Sequence, residues 1–390
     1  MGSAFLRFGS VYAAVASAIL ILAGCAPATQ TADTIRLLTH EEFHLPQDAI
    51  DDFTNRTGIE VLVFTEKNTT TMVDLLERTA ANPIADVVLG IDSLERRRVT
   101  EKKLVEPYRP IAIDRLDPSL VLQDGMVTPV SQLAACLNRS KSQYDAAPRL
   151  VDQLPEPGDI PLQAPTKIDD LVDPKHAKTA VIPDPSSSRM GLYFLVAIER
   201  LHRENVEGVT PWPQFVEEML RWGVEIAPSW EEAWFSRFQP SAGSDKPDTR
   251  SLTWGSSGMP AVSVRFLPEL PEEVDVAVVD SGCVKIVNYA AVVNNTPSRR
   301  NAGRLVDTFV APLFQYGVPD RYGSRPARTD IVRTDAWRQF GVSVTAIPID
   351  EWRIGPLWDV WLMTWKQIVD SVASGEERLP PVVEVTLPSK

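Results

Sequence analysis

Ala85-Asp86-Val87-Val88-Leu89-Gly90-Ile91-Asp92 is an apolar run that ends in a glycine and an acid. Ala85 to Leu89 reads as a short buried strand, and Gly90 opens a loop towards a helix from about Ser93 to Lys103. Upstream, Thr34–Thr39 is a strand candidate. Gln47–Arg56 is a helix stopped by Gly58, and Ile59–Thr65 alternates as a strand. Thr70–Ala81 has helical spacing at Met72, Leu75, Leu76 and Thr79. Strands and helices in turn at this period predict an α/β domain with a mainly parallel sheet.

A second alternating region begins near Ser131. Gln132–Leu137 and Thr179–Ile182 read as strands, with a Pro-rich stretch at 151–165 between them. Asp184-Pro185-Ser186-Ser187-Ser188-Arg189-Met190-Gly191 leads into a helix over Leu192–Arg203, and another helix covers Pro213–Trp222. Ser229, with Glu232 three positions on, has the pattern of a capping box. Thr253-Trp254 ends a strand before the turn Gly255-Ser256-Ser257-Gly258. Val274–Val279 and Val284–Val293 are further strands, and a long helix runs from Ser298 towards Phe314.

The N-terminus carries an address. Arg7 precedes an apolar stretch from Val11 to Leu22, which has signal-peptide length rather than spanning length. Leu22-Ala23-Gly24-Cys25 resembles a lipobox, in which the cysteine is lipidated and becomes the first mature residue. The expectation is a signal peptide at 1–24, a lipid-anchored Cys25 and a small polar tether at 25–33. The body would then sit outside the cytoplasm, on the outer face of a bacterial cell membrane or in a periplasm. A net charge of −13 argues against a nucleic-acid partner and tolerates a cationic ligand. Besides Cys25 there are only Cys136 and Cys283, which is neither a disulfide framework nor a metal spacing.

The order of elements resembles the periplasmic-binding-protein type II fold, in which two α/β lobes are joined by two crossover strands with the ligand cleft between them. Within it, four stretches are similar to the thiamine-binding proteins of ABC importers: Ala85–Asp92, Asp184–Gly191, Ser229-Trp230-Glu231-Glu232-Ala233, and Pro356-Leu357-Trp358 to Trp365. The resemblance implies a first part of lobe 1 at 34–130, lobe 2 at 131–285, and a return to lobe 1 with C-terminal helices at 286–390. It implies capture of thiamine or a thiamine phosphate by lobe closure, and delivery to an ABC permease and its ATPase by a monomeric binding protein without cofactor or resident metal. The two cysteines would lie on neighbouring crossover strands, where a bridge is possible although strand geometry often forbids it.

The ligand's chemistry indicates which residues to expect in the cleft. A thiazolium cation wants aromatic faces, for which the resemblance offers Trp230 and Trp254. A hydroxyl or phosphate tail wants backbone N–H groups, hydroxyls and a cation, which Ser188 and Arg189 supply at a helix start, with Gly255, Ser256, Ser257 and Gly258 as a second such turn. Glu41, Glu42 and Asp92 follow predicted strand ends and are the acid candidates. Lys67-Asn68 stands where the family has Asp-Gly, His40 where it has a tyrosine, and the Tyr322-Gly323 neighbourhood where it has a cleft tryptophan, so one acid and two aromatics are missing. Polyamines, aminophosphonates and thiamine precursors are the alternative cargoes. Ferric iron is disfavoured because no two tyrosines are adjacent. A secreted lipoprotein enzyme is the remote alternative, with no HExxH or G-x-S-x-G motif behind it. No P-loop is seen, so the ATPase is expected on another chain, and a structural lipoprotein would not need two lobes.

Overall fold

The computed structural model describes residues 33–43, 45–144, 163–203, 206–238, 250–355 and 357–375. Cys25, the expected signal peptide, most of the expected tether and most of the Pro-rich stretch lie outside them. Among the described residues the strands are β1 (Thr34–His40), β2 (Glu60–Glu66), β3 (Val87–Asp92), β4 (Val105–Glu106), β5 (Thr128–Ser140), β6 (Ala180–Pro183), β7 (Glu225–Ala227), β8 (Leu252–Ser256), β9 (Val276–Val293) and β10 (Arg325–Pro326). They form one sheet in the order β2-β1-β3-β9-β5-β8-β6-β7, with β4 on β9 and β10 on β5. β1 is parallel to β2 and β3, and β6 is parallel to β7 and β8. These are the two lobes. β5 and β9 run antiparallel side by side through both of them.

The decisive run is buried throughout its length: Val87–Asp92 has no exposed position. Such a strand needs cover on both faces. One face packs on Met72, Val73 and Val99, and the other on Phe53, Leu305 and Phe309. Lobe 2 is built around the helix Arg189–Leu201, apolar on nearly every side from Leu192 to Ile198 and buried there. The C-terminal helix Trp358–Ser374 packs on this lobe through Trp361, Trp365 and Ile368. Among the described residues no helix is long and apolar enough to cross a membrane.

Three elements differ from expectation. The long helix from Ser298 is two helices, Arg299–Phe309 and Pro312–Tyr322, because Pro312 lacks the N–H needed to continue the first and suits the start of the second. The two strands at 274–279 and 284–293 are one strand, β9, whose pairing with β5 shifts register between Ala135 and Leu137. The helix expected over Ser93–Lys103 is helical only at Arg96–Glu101.

That irregularity brings Cys136 and Cys283 together. Their Cα atoms are 4.4 Å apart and the two form a disulfide, a spacing within the range that a bridge accepts. The open question of their pairing is thereby resolved: the bridge ties the two crossover strands to each other.

Candidate functional site

The ends of the strands of both lobes face one another, as ligand sites in open α/β sheets require. Asp92 ends β3 and accepts hydrogen bonds from the backbone N–H groups of Leu94 and Glu95 at 3.0 and 3.1 Å. Its carboxylate also takes a two-point grip from lobe 2. Arg189 Nε donates to Oδ2 at 2.5 Å and a second guanidinium nitrogen donates to Oδ1 at 2.6 Å. Both side chains are buried. Burial would raise the Asp92 carboxyl, but the Arg189 guanidinium outweighs it and holds the group below the usual carboxylate range.

Arg189 has further neighbours from both lobes. It donates to Thr70 Oγ1 at 3.2 Å, and its guanidinium carbon lies 5.5 Å from the ring centre of Trp358. Glu95 lies fully buried with a carboxylate oxygen 3.9 Å from Arg189. Desolvation there pushes its carboxyl up to about 7 against the pull of Arg189. Beyond this cluster a cavity of about 610 Å³ opens between the lobes, lined among others by Thr70, Leu94, Leu192, Trp358 and Leu362.

Acids collect on the other side. Glu41 and Glu42 follow β1 and are exposed, and Glu231 follows β7 from the opposite lobe. Glu42 keeps solvent contact yet is ringed by protein. Desolvation first, then the charges of Glu231, Asp92 and Glu41, lift its carboxyl to about 7 despite Arg189. Carboxylates from both lobes therefore crowd one region, and a cation entering it would relieve their repulsion.

The aromatic wall stands next to those acids. Ser229 Oγ accepts from the N–H of Glu232 at 3.1 Å, the serine half of the expected capping box, while the Glu232 carboxylate pairs with Arg237 instead of reaching back. The helix that Ser229 leads into is a π-helix over Glu232–Phe238, a rare form that is frequent at functional sites. Trp230 is partly exposed, stacks on Trp234 with ring centres 6.0 Å apart, and meets Phe235 edge-on at 5.6 Å. Its buried indole N–H has no partner. Gly255 makes room for it, since a Cβ there would stand 2.9 Å from Trp230 Nε1.

The other expected site residues are used differently. Trp254 is fully buried and packs edge-on to Phe194 at 5.4 Å, so it faces the lobe 2 core and offers no cleft platform. The reason is the alternation of β8, which turns Trp254 to the helix 189–201 side. Ser188 caps that helix and is buried. Arg189 is spent on Asp92, so the pair does not form the free anion site expected of it. Ser256 Oγ donates to the Gly323 carbonyl at 2.6 Å and accepts from the Gly258 N–H at 3.1 Å, which ties lobe 2 to lobe 1. Gly258 lies so close to Gly323 that a Cβ would sit 2.2 Å from its carbonyl oxygen. Asn68 caps the helix Thr69–Arg78 in a capping box with Thr71, and Lys67 is exposed beside it. Ser257 lines a separate cavity. His40, in place of the family's tyrosine, is buried within 3.1 Å of the Gly90 carbonyl and 3.2 Å of Thr69 Oγ1. Tyr322 stacks on Phe43 at 4.6 Å.

Sequence reasoning missed Glu231, Trp234, Glu95 and Thr70 as parts of this region. The signal for Glu231 and Trp234 was their place beside Trp230 on one short helix. Glu95 and Thr70 left none, because only the packing of the lobes brings them to Arg189.

No family model matches the chain. A thiamine-binding periplasmic protein from Brucella suis biovar 1 (strain 1330) is 23% identical over 217 residues, or 54% of this chain and 57% of that protein. The chain thus spans just over half the length of the curated relative it matches. Among solved structures, a periplasmic thiamin binding protein superposes with a TM-score of 0.69 at 16% identity, over 89% of this chain and 99% of that one. The iron-bound HitA from Pseudomonas aeruginosa gives 0.62 at 15% identity, over 86% and 99%. The chain has the periplasmic-binding-protein type II fold and is similar in sequence to a thiamine-binding periplasmic protein.

Proposed function

We propose that this chain is the extracytoplasmic binding protein of an ABC importer, held to the membrane through Cys25, and that its cargo is a small organic cation of the thiamine kind. The observation that carries the reading is that Glu42 of one lobe feels the negative charge of Glu231 of the other, which is next in sequence to Trp230 of the Trp230–Trp234 stack. A thiazolium between them would neutralise repelling carboxylates and lie on an aromatic face, contributions of roughly 0.5–2 kcal/mol for each cation–π contact. Because it would touch both lobes, it would stabilise the closed arrangement over the open one and present that form to the permease.

Free thiamine fits better than its phosphates. The cation that would meet a phosphate, Arg189, is already paired with Asp92, and the carboxylates nearby would repel it. Ferric iron is the cargo of some structural neighbours by name. Among the described residues no cluster of three or more His, Cys, Asp or Glu is placed to hold a metal ion. Calorimetry with thiamine, thiamine monophosphate, spermidine and ferric citrate tests the reading. Tightest binding of thiamine is expected, and no heat with thiamine while another probe binds would overturn the assignment.

A further inference from the structure

A second cavity, of about 220 Å³, is lined by a different set of residues, among them Gln132 and Ala134 of β5, Lys285 of β9, Arg325 of β10, Ser257 and Trp337. It is walled by both crossover strands, by the turn after β8 and by the segment 342–346. Its lining holds two cations and no carboxylate, which is unexpected in a chain of net charge −13.

The charges there are incompletely answered. Arg325 donates to Ser343 Oγ at 2.6 Å and to the Val342 carbonyl at 3.2 Å, both neutral partners. Burial first and Arg333 second lower its pKa, the mark of a guanidinium without a carboxylate beside it. Asp117 feels the charge of Lys285. It accepts from Gln132 Nε2 at 3.5 Å and from the Ser119 N–H at 2.9 Å, and it does not line the cavity. Trp337 is buried and its indole N–H has no partner. An ammonium, a guanidinium, an amide, a hydroxyl and an unused N–H around one small space make a donor set for an oxyanion.

We propose that this cavity binds a small oxyanion of the phosphate or sulfate class, held by Lys285 and Arg325 with Ser257 and Trp337 beside it. The volume takes such an ion with a few waters and is below the usual size of a pocket for a drug-sized ligand. Ser257 belongs to lobe 2, Arg325 pairs with a crossover strand beside lobe 1, and Lys285 lies on the other crossover strand. The ion would therefore bridge elements that lobe motion moves relative to one another. The inference does not depend on what the cleft binds.

The test uses the full-length protein and inorganic phosphate, followed by ³¹P line broadening and by thermal shift, with sulfate as competitor. Saturable binding that sulfate displaces is expected. Lys285→Gln should weaken it roughly tenfold or more, while Lys285→Arg, which keeps the charge, should retain it. Arg325→Gln should act like Lys285→Gln, and the melting temperature of each variant without anion reports whether it folds. Absence of saturable binding at millimolar phosphate would overturn the proposal. So would binding that survives both Gln substitutions in folded protein.

Discussion

Asp92 and Arg189 form a buried two-point ion pair that joins the end of β3 in lobe 1 to the start of the helix 189–201 in lobe 2. Each is also positioned by its own lobe, Asp92 by the N–H groups of Leu94 and Glu95 and Arg189 by the helix that Ser188 caps. The pair is thus a clasp between rigid parts. Asp92→Asn would leave the buried guanidinium without its two-point partner, with only the Glu95 carboxyl 3.9 Å away, and should destabilise the protein by up to about 3–5 kcal/mol. Denaturant unfolding measures it. An Asp92→Asn, Arg189→Met double variant should recover much of the loss, because it removes both charges together.

Glu42 and Glu95 hold their protons up to about 7 in the folded chain, against 4.5 ordinarily. Between those values the folded state binds more protons than the unfolded one, so their share of stability falls as pH rises and is lost above about 7. Buried His176, whose pKa is lowered, acts in the opposite sense below about 6.5. Comparison with Glu95→Gln isolates the carboxyl: the variant should gain melting temperature relative to wild type between pH 5 and 8.

Cation binding in the cleft should expel the Glu42 proton. Binding of thiamine near pH 7 should release protons, visible as a dependence of calorimetric heat on the buffer's ionisation enthalpy. Affinity should rise from pH 6 to pH 8. Glu42→Gln should abolish both trends, and proton release unchanged by that substitution would remove Glu42 from the site.

Trp230, the proposed aromatic platform, is partly exposed. Trp230→Ala should weaken the cation by roughly 1–3 kcal/mol, from lost cation–π attraction and lost apolar contact. Trp254→Phe should change ligand affinity far less, since Trp254 faces the core. Calorimetry on the two variants separates them.

The disulfide closes a long loop, with Cys136 and Cys283 separated by 147 residues. Its reduction should cost roughly 2–5 kcal/mol, the upper end being what the loop-entropy model gives for a loop of this length. Melting with and without reductant reads this directly, and alkylation of unreduced, denatured protein should find neither thiol.

Cys25→Ser should release the protein from membranes into the soluble fraction. Membrane retention of that variant would remove the lipid anchor from the reading.

The fold was legible because its signals are local. The buried run at Ala85–Leu89, the helices that Gly58 and Ser188 delimit, and the alternation of strands with helices are written at the scale of a few residues, where burial and capping act. The spacing of Ser229 and Glu232 likewise marked a helix start beside Trp230. What lies far apart in the chain was decided by packing. Trp254 turned to the core because β8 alternates against the helix 189–201, and no local cue says which face of an inner strand meets the cleft. Arg189 looked like a free cation at a helix start, and only the approach of the lobes gave it Asp92. Two well-spaced strands became one, β9, and its irregular register against β5 brought the two cysteines within bonding distance. Charge pairs, carboxyl shifts and bridges depend on distances between residues tens to hundreds apart in sequence, and those distances exist only once both lobes have folded and met.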